Sequence, residues 1–431
     1  MVLIMKYKLS DINLSNESKI IVPDILHFVW VGDTNRACPE YMRLWKSTNP
    51  GKKILFWHDP DSSLSHSLNE SIEKYITSIG IDDRIETERR LRNEAFEYIV
   101  PKLAHGFIFD DCVNAFLRDA GLINKNITSP VPNNFIKDPG IIVKNIKDIF
   151  VAKLAEYKVY YYYELILRGN FASASDIVRL LIIYQYGGIY IDMDTLPYTD
   201  NAFKNLNLFL SHTGFIEDDF LRVFKTKKIL NRISKSYTDE NEYYDHYNSN
   251  KSGKYDIEFY TRMLESLNVD ISGWQLEVID PLGNLFVHKN LLSFGAVKRF
   301  KGVYFNNIIL SHPYSKALRL ILCTMRKRYR FIEKHDCIFN FYKDNKEGMY
   351  LSRTLNWRTE LSRKDYHVTS IMTGPGLIIE VLLGFAYEVL EVDDSTTPSS
   401  IAGSMHNEQY GIAFFKHNLD TPQGVFSSWR R

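Results

Sequence analysis

Two aspartates stand one residue apart in "GGIYIDMDTLP", residues 187–197, directly after a short apolar run. In an extended strand residues i and i+2 point to the same side, so Asp192 and Asp194 should face one way while Met193 packs away. Adjacent carboxylates repel each other, and a hard divalent cation such as Mg²⁺ or Mn²⁺ would relieve that repulsion. Two carboxylates cannot fill an octahedral shell, which leaves positions for water and for the oxygens of a ligand such as a diphosphate. We therefore expect a ligand site at this strand end, where open α/β sheets usually bind ligands.

An aspartate and an arginine precede this segment on a predicted helix. Asp176 and Arg179 are three residues apart in "SASDIVRLLIIYQYGG", a run that begins with serine and stops at a glycine pair. The spacing places both side chains on one helix face, where they can bind hydroxyls or phosphates. An intrahelical ion pair between them is the alternative, and the spacing alone leaves both interpretations open.

The elements that must position these residues follow an α/β pattern. The apolar runs of residues 21–33 and 52–63 predict two buried strands, and the segment between them predicts a helix. This β-α-β start favours a parallel sheet covered by helices. Residues 64–170 predict a helical insertion. Residues 215–300 predict a mixed insertion that includes a surface loop at the tyrosine-rich "TDENEYYDHYNSNKSGKYD". With no repeat and no low-complexity linker, residues 1–431 predict a single elaborated domain.

Composition argues against several classes of protein. The 431 residues include 53 Lys and Arg against 52 Asp and Glu, a net charge of +1 that does not suggest a nucleic-acid binder. The four cysteines have no C-x-x-C spacing, which argues against a structural zinc site and a disulfide scaffold. The first residues lack a signal-peptide pattern, and no apolar stretch approaches the ~18 residues of a membrane helix. We expect a globular, cytoplasmic monomer without a transmembrane segment, unless it is exported by a route that needs no classical signal.

Several blocks, in order, resemble one family. The segment "ASDIVRLLIIYQYGGIYIDMDTLP" is similar to the D-x-x-R helix, Gly-Gly turn and D-x-D strand of the large clostridial cytotoxin glucosyltransferases and related sugar transferases. "ILHFVWVGD" resembles their first strand, "FWHD" and "YFNNIILSHPYSKAL" resemble later blocks, and "TGPG" resembles a turn near the end. These blocks span residues 24 to 376, and the terminal "SSW" is a further similarity. The resemblance implies an α/β protein of the GT-A fold, with a Rossmann-like central mixed sheet and large, mostly helical insertions.

The same resemblance implies a nucleotide-sugar site with Mn²⁺ or Mg²⁺. The implied catalytic residues are Asp192, Asp194, Arg179, Asp176 and Asn306. The implied donor-binding residues are Val29, Trp30, Ser175, Asp176, Arg179, Tyr190, Asp192, Asn306, Ser427 and Trp429. Trp30 would stack on uracil, although a core tryptophan is the alternative. The implied metal ligands are Asp194 and Ser427, the latter in a C-terminal lid at residues 418–431. Gly424 stands where the family has an acidic residue, so this lid has one ligand fewer or a different register.

The implied roles divide by the part of the donor that each residue contacts. Asp176 and Arg179 would hold sugar hydroxyls, with Arg179 also near the phosphate, and Tyr190 would lie by the sugar and diphosphate. Asp192 would contact ribose and sugar hydroxyls, while Trp429 would contact the β-phosphate. Asn306 would face the sugar or the bond that breaks, and its neighbour Asn307 is the alternative at that place.

The implied reaction moves glucose or N-acetylglucosamine from a UDP-sugar to a protein side chain with retention of configuration. The metal would neutralise the leaving diphosphate, and no residue pair suits a double displacement, so front-face attack is the hypothesis. Phe305 and Asn307, which flank Asn306 and are not small, favour glucose. Nearest relatives act on a host GTPase, which implies a toxin or effector that leaves the bacterium without a classical signal and acts in the host cytosol.

Two other functions fit parts of the sequence. "YIDMDTL" also fits a haloacid-dehalogenase-type phosphatase in which Asp192 is the nucleophile and the run ending at Ser211 supplies a second motif. Against this alternative, the motif lies far into the chain and we find no well-placed lysine and paired acidic motif downstream. A non-catalytic protein that retains the fold and binds nucleotide is the third possibility.

Overall fold

The computed structural model describes residues 19–79, 84–131, 137–234, 242–250, 255–273, 278–342, 351–360, 368–390, 395–407 and 412–419. The strands are β1 (Lys19–Ile21), β2 (Ile25–Val29), β3 (Lys53–His58), β4 (Ile141–Asn145), β5 (Gly188–Ile191), β6 (Leu196–Pro197), β7 (Phe286–His288), β8 (Ser293–Ala296), β9 (Tyr304–Ser311), β10 (Ala413–Phe414) and β11 (His417–Asn418). The α-helices are α1 (Pro39–Thr48), α2 (Ser65–Ser78), α3 (Arg84–Ala104), α4 (Phe109–Asp119), α5 (Tyr157–Tyr162), α6 (Phe171–Tyr186), α7 (Lys204–Thr213), α8 (Asp219–Ser234), α9 (Glu242–Asn250), α10 (Ile257–Ser272), α11 (Lys316–Lys334), α12 (Val368–Met372), α13 (Pro375–Leu390) and α14 (Pro398–Met405).

A mixed sheet forms the centre of the fold, in the strand order β10-β8-β9-β5-β2-β3-β4. Strands β5, β2, β3 and β4 run parallel, and β9 lies antiparallel between β5 and β8. The predicted β-α-β start is confirmed, because β2 and β3 pair in parallel and α1 connects them. Since β9 runs against β5, the carboxyl ends of β2 and β5 meet the first half of β9 at one edge of the sheet. That edge is the place where the polar residues of three chain segments meet.

Helices cover both faces of this sheet. Leu26 and Phe28 of β2 pack in one hydrophobic cluster with Trp45 of α1. Val29, on the other face of the same strand, belongs to a second cluster that contains Ile177 of α6. The alternation along β2 is the period-two pattern of a strand buried on both sides. Among the described residues of 64–170 the regular elements are helices apart from β4, which adds to the sheet beside β3.

The predicted helix before the glycine pair is confirmed as α6, although its cap lies earlier than the serines. Asn170 Oδ1 accepts the Ser173 N–H at 3.0 Å, so an asparagine caps the helix. Gly187 ends the helix with φ +65°, and a Cβ there would lie 2.6 Å from Pro313 Cδ. Only glycine meets both conditions without strain, so the turn into β5 depends on it.

Two local predictions are wrong. Strand β5 ends at Ile191, and residues 192–195 form a turn in which the Thr195 N–H donates to the Asp192 carbonyl at 3.0 Å. The two aspartates therefore do not alternate as strand residues. The tyrosine-rich stretch contains helix α9 rather than only a surface loop, because Tyr243 is buried beside Phe224 and Tyr260. The polar residues of this stretch gave no sign in the sequence of the contact that Tyr243 makes with these two rings.

Among the helices within the described residues, none has the length and apolar character needed to cross a bilayer.

Candidate active site

A cavity of about 410 Å³ opens where β2 and β5 end. It is lined by Val29, Trp30, Val31, Arg36, Cys38, His66, Phe171, Ala172, Ser175, Arg179, Tyr190, Asp192, Met193 and Asp194. Seven of the residues predicted from the motifs therefore share one cavity: Val29, Trp30, Ser175, Arg179, Tyr190, Asp192 and Asp194. Met193, which was predicted to pack away from the aspartates, is buried in the hydrophobic cluster of β2 and α1 and also contributes to the cavity wall.

The two aspartates of the D-x-D motif have different surroundings. Asp192 Oδ1 lies 3.1 Å from Arg179 Nη2 and accepts a hydrogen bond from the Tyr190 hydroxyl. Asp194 is exposed to the cavity and, within the described part of the chain, forms no ion pair. Desolvation within the cleft and the charge of Asp192 raise the pKa of Asp194 to about 6. One carboxylate is thus held by protein groups, and the other is available to a ligand.

Arg179 connects three segments at the base of the site. Its guanidinium stacks over the Tyr190 ring at 4.4 Å, and Nη1 donates to the Asn306 carbonyl at 2.8 Å. Its Nη2 lies 3.2 Å from Asp176 Oδ1, so the intrahelical ion pair that the spacing allowed does form. The pair is buried and continues to Asp192, and an isolated surface pair would do neither. A planar guanidinium with several partners fixes the geometry of all of them.

Asp176 lies outside the cavity lining but in contact with this arginine. Its carboxylate accepts hydrogen bonds from Asn306 Nδ2 at 2.8 Å and from Thr373 Oγ1 at 3.0 Å. Burial raises the pKa of Asp176 to about 6, and the positive charge of Arg179 opposes that effect. Near neutral pH the group is predominantly ionised and can accept a further hydrogen bond.

The two neighbouring asparagines of β9 contact different groups. The Asn306 amide contacts Asp176, whereas Asn307 Nδ2 donates to Thr195 Oγ1 at 3.0 Å. A Cβ on Gly295 would lie 2.4 Å from Asn307 Oδ1, so Asn307 faces a different set of groups. Asn306 is the asparagine beside Asp176 and Arg179. The argument that Asn307 favours glucose by its bulk therefore loses its structural basis.

Trp30 lies on the wall formed by the end of β2. Its side chain is half-buried, and Nε1 donates to the Asp33 carbonyl at 2.7 Å, which fixes the orientation of the ring. Trp30 is therefore not a fully buried core residue, and part of its ring lines the cavity. A flat ring at a cavity wall provides a surface on which a planar base can stack.

Sequence reasoning missed a second aromatic wall of this cavity. The rings of His66 and Phe171 stack with centroids 4.1 Å apart, and His66 Nδ1 accepts the Asp33 N–H at 3.2 Å. Burial lowers the pKa of His66 to about 4, so the imidazole is neutral. Gly32, with φ +90°, allows this approach, because a Cβ there would lie 2.4 Å from His66 Nδ1. The glycine after the first strand was the one available signal, and it does not identify its distant partner.

The predicted lid residues Ser427 and Trp429, together with Gly424, lie outside the described residues. The described chain does lead toward the site, since β11 pairs antiparallel with β6, where His417 faces Pro197. Strand β6 follows Asp194 by two residues.

The structure contradicts the phosphatase interpretation. The apolar run that would form its second motif lies in helix α7, where Ser211 is exposed and donates to the Leu208 carbonyl. Asp192, the residue required as nucleophile, is held by Tyr190 and Arg179. The predicted second motif is therefore helical, and the carboxylate required as nucleophile is engaged by two protein groups.

The donor atoms at the site suit a hard cation better than zinc. Among the described residues, no group of three or more His, Cys, Asp or Glu side chains could hold a metal ion. Of the two carboxylates that line the cavity, Asp192 is paired with Arg179, and Asp194 forms no ion pair within the described residues. A cation bound there must take most of its ligands from water or from a bound phosphate, as Mg²⁺ and Mn²⁺ do.

Comparison with known proteins gives consistent matches. The profile of the TcdA/TcdB catalytic glycosyltransferase domain family matches residues 24–386. The chain is 24% identical over 360 residues to Toxin A of Clostridium novyi, which covers 75% of this chain and 15% of the toxin. It is 27% identical over 231 residues to Toxin B of Clostridioides difficile, which covers 47% of this chain and 10% of the toxin. The chain thus spans between a tenth and about a sixth of the length of these relatives.

Solved structures show the same fold. The catalytic domain of alpha-toxin from Clostridium novyi superposes with a TM-score of 0.69 at 19% identity, covering 96% of this chain and 80% of that domain. The UDP-bound glycosyltransferase domain from the YGT toxin gives a TM-score of 0.56 at 18% identity, covering 95% and 82%. The predicted GT-A fold with a central mixed sheet is confirmed. Because the family profile extends over most of the chain, this protein belongs to the TcdA/TcdB catalytic glycosyltransferase domain family.

Proposed function

We propose that the protein transfers glucose or N-acetylglucosamine from a UDP-sugar to a side chain of an acceptor protein. The observation that carries this proposal is the convergence of Asp192, Asp194, Arg179 and Tyr190 in one cavity that Trp30 also lines. Acidic groups, a guanidinium and a flat ring are the groups that a sugar, a diphosphate and a base require. Membership of a glycosyltransferase family supports the assignment of this cavity to a nucleotide sugar.

In this proposal the donor binds in a single orientation, with its uracil, diphosphate and sugar each at a different part of the site. Uracil stacks on Trp30 beside Val29, and the diphosphate lies near Arg179 and Tyr190. The sugar hydroxyls bind Asp176 and Asn306, with Ser175 at the cavity wall. Asp192 contacts the ribose and the sugar through its remaining lone pairs. The UDP-bound relative of the same fold supports UDP as the nucleotide.

We propose Mn²⁺ or Mg²⁺ as the cofactor, held by Asp194 and, in the C-terminal segment, by Ser427. When bound, the ion neutralises the charge that develops on the diphosphate as the anomeric bond breaks. Arg179 contributes to the same stabilisation, because the two carboxylates around it keep its guanidinium fixed. Trp429 would close the site over the β-phosphate and exclude water, in a segment that enters the fold beside β6.

The acceptor is proposed to be a protein of a host cell, such as a small GTPase. The relatives are named toxins, and this supports a role as a toxin or effector that is exported without a classical signal and acts in the host cytosol. We assign acceptor binding to residues 215–300, the mixed insertion that carries α8 to α10. We also propose that the protein acts as a monomer.

The test is turnover of UDP-glucose and UDP-N-acetylglucosamine by the wild type and by Asp194→Asn, with Mn²⁺ present. We expect the wild type to release UDP from one donor and to label a protein in a cell lysate with a radiolabelled sugar. Asp194→Asn should lower turnover by about 10²-fold or more, because the phosphate charge loses its counterion. Without metal, the unfolding temperature of Asp194→Asn at pH 7.5 should be unchanged or higher, because a carboxyl whose pKa is raised destabilises the fold when it is ionised.

Asp148→Asn is the matched control, since it removes one exposed carboxylate away from the cavity. It should leave turnover within about twofold of wild type. Full turnover by Asp194→Asn would contradict the assignment of the metal to this residue. Binding of UDP without turnover of either donor would favour the non-catalytic alternative.

A further inference from the structure

The T-G-P-G turn of residues 373–376 contacts the site, although no role in the proposed function falls to it. Thr373 is fully buried, and its hydroxyl donates to Asp176 Oδ2 at 3.0 Å. Ser173 Oγ lies 2.8 Å from the same hydroxyl. Because a hydroxyl has one hydrogen and Thr373 gives it to Asp176, Ser173 must be the donor of this second bond. The three side chains therefore form a directed chain that ends on the Asp176 carboxylate.

Helix α12, which directly precedes Thr373, is fixed to the start of α6 by a buried polar network. Thr369, one turn before Thr373, donates its N–H to Glu360 Oε2 at 2.8 Å. The Thr369 hydroxyl accepts hydrogen bonds from Arg168 Nη2 at 2.9 Å and from Asn170 Nδ2 at 2.9 Å. Asn170 is also the cap of α6, so α12 contacts the first turns of that helix at two levels. This two-point attachment sets the distance from Thr373 to Asp176.

The glycine of this turn lies beside the carboxylate. A Cβ on Gly374 would lie 3.5 Å from Asp176 Oδ2 and 3.1 Å from Ser370 Cα. Thr373 and Gly374 both donate their N–H groups to the Thr369 carbonyl at 3.1 Å, which closes the end of α12. A residue larger than glycine at 374 would therefore push this tight turn against Ser370. The position of Asp176 is determined from this side as well as from Arg179.

We propose that Thr373 is a positioning residue for sugar transfer, whose hydroxyl holds the Asp176 carboxylate in the orientation that receives a hydroxyl of the donor sugar. The inference rests on the proposed function and deepens it. Thr373 is fully buried and its hydroxyl donates to Asp176, so it acts through Asp176 and not on the donor.

The electrostatics of Asp176 provide a measurable signature. Burial raises its pKa, and Arg179 on the same helix lowers it while Asp192 beyond β5 raises it again. The uncharged donors Thr373 and Asn306 lower the pKa because they stabilise the ionised carboxylate. Removal of the Thr373 hydroxyl should therefore raise the pKa of Asp176, an effect that a purely structural role would not produce.

The experiment compares pH profiles of kcat/KM for hydrolysis of the preferred UDP-sugar by wild type, Thr373→Val, Thr373→Ser and Thr354→Val. Thr354 is the matched control, because it is fully buried and its hydroxyl donates to the Leu351 carbonyl, away from Asp176. We expect the acid limb of Thr373→Val to move up by about one pH unit, as expected for loss of one hydrogen bond to a carboxylate. Thr373→Ser should restore the wild-type profile, and Thr354→Val should not move it. The Kd for UDP should stay within about twofold of wild type in all three variants, because UDP lacks the sugar.

A Thr373→Val profile that lies parallel to wild type at every pH would overturn the inference, since uniform loss indicates only a structural role. If Thr373→Val does not fold, Ser173→Ala takes its place: a smaller upward shift supports the inference, and an unmoved limb overturns it. A wild type that hydrolyses neither UDP-sugar overturns the proposed function and this inference with it. An active wild type with an unmoved Thr373→Val profile overturns the inference alone.

Discussion

At the scale of single residues, the two aspartates of the D-x-D motif are chemically equal but have different surroundings and therefore different roles. Asp192 is neutralised by Arg179 at 3.1 Å and held by Tyr190, whereas Asp194 faces the cavity. The sequence predicts the pair of carboxylates but not this division, because the division depends on a turn and on an arginine from another element. The same limit applies to His66 and Thr373, which reach the site from distant positions with no spacing signal.

The two asparagines of β9 give the first prediction at this scale. Asn306→Ala should lower kcat for UDP-sugar hydrolysis by about 10²-fold, because Asp176 loses a donor and the sugar loses a neighbouring amide. Asn307→Ala should instead lower the free energy of unfolding by about 1–2 kcal/mol, because it removes the bond to Thr195. Steady-state kinetics together with denaturant unfolding of both variants measure this difference. A kinetic defect confined to Asn307→Ala would contradict the assignment of Asn306 to the site.

At the scale of elements, the α6, Gly-Gly and β5 unit was predictable because its signals are local. An apolar helical run, a glycine with φ +65° and an apolar strand follow one another directly, and each acts within a few residues. Helix α9 was not predictable in this way, since Tyr243 and its aromatic neighbours come from three helices. The mixed order of the sheet was likewise hidden, because the pairing of β5 with β9 joins residues more than 100 positions apart.

A buried histidine connects two of these elements and gives a prediction about pH. His27 on β2 bonds the Gly187 carbonyl through Nε2 at 2.9 Å and accepts from Trp57 Nε1 at 3.1 Å. Burial lowers the pKa of His27 to about 4, below its value of 6.5 in the unfolded chain. The neutral form is therefore required for folding, and its contribution is present above pH 6.5 and is lost as the pH falls toward 4.

His27→Gln keeps a donor and an acceptor but does not titrate. Between pH 7 and pH 5 the wild type should lose about 2 kcal/mol more unfolding free energy than this variant, from the difference in His27 pKa between the two states. Guanidinium unfolding of both proteins at the two pH values measures the difference. Equal losses would show that His27 does not carry this acid sensitivity.

At the scale of the whole molecule, the helices α7 to α10 form a unit with its own core. Their buried residues share a hydrophobic cluster that reaches the main sheet through Tyr41 and Leu44 of α1. A separate core allows the surface of this unit to vary without disturbing the donor cavity. The sequence showed an insertion at this place but not its surface, because the outward-facing residues follow from how four helices pack.

Because the α7 to α10 unit has its own core, changes on its surface should affect acceptor recognition without affecting the donor cavity. Ile216 and Val269 are exposed large apolar residues in the proposed acceptor region, at 87% and 58% exposure. The double variant Ile216→Asp with Val269→Asp should leave UDP-sugar hydrolysis within about twofold of wild type and lower labelling of the lysate protein by at least about tenfold. Val151→Asp, at an exposed apolar position elsewhere, is the matched control. Equal loss of hydrolysis and labelling would place the defect in the donor site instead.

The bond between Thr373 and Asp176 joins positions 197 residues apart in the chain. Closing so long a loop is entropically costly and slow, and contacts of this kind form late in folding. During translation, residue 176 leaves the ribosome long before residue 373, so a nascent or prematurely terminated chain cannot complete the sugar-binding end of the site. Catalytic competence should therefore arise only after the turn at residues 373–376 has been synthesised and has folded against α6.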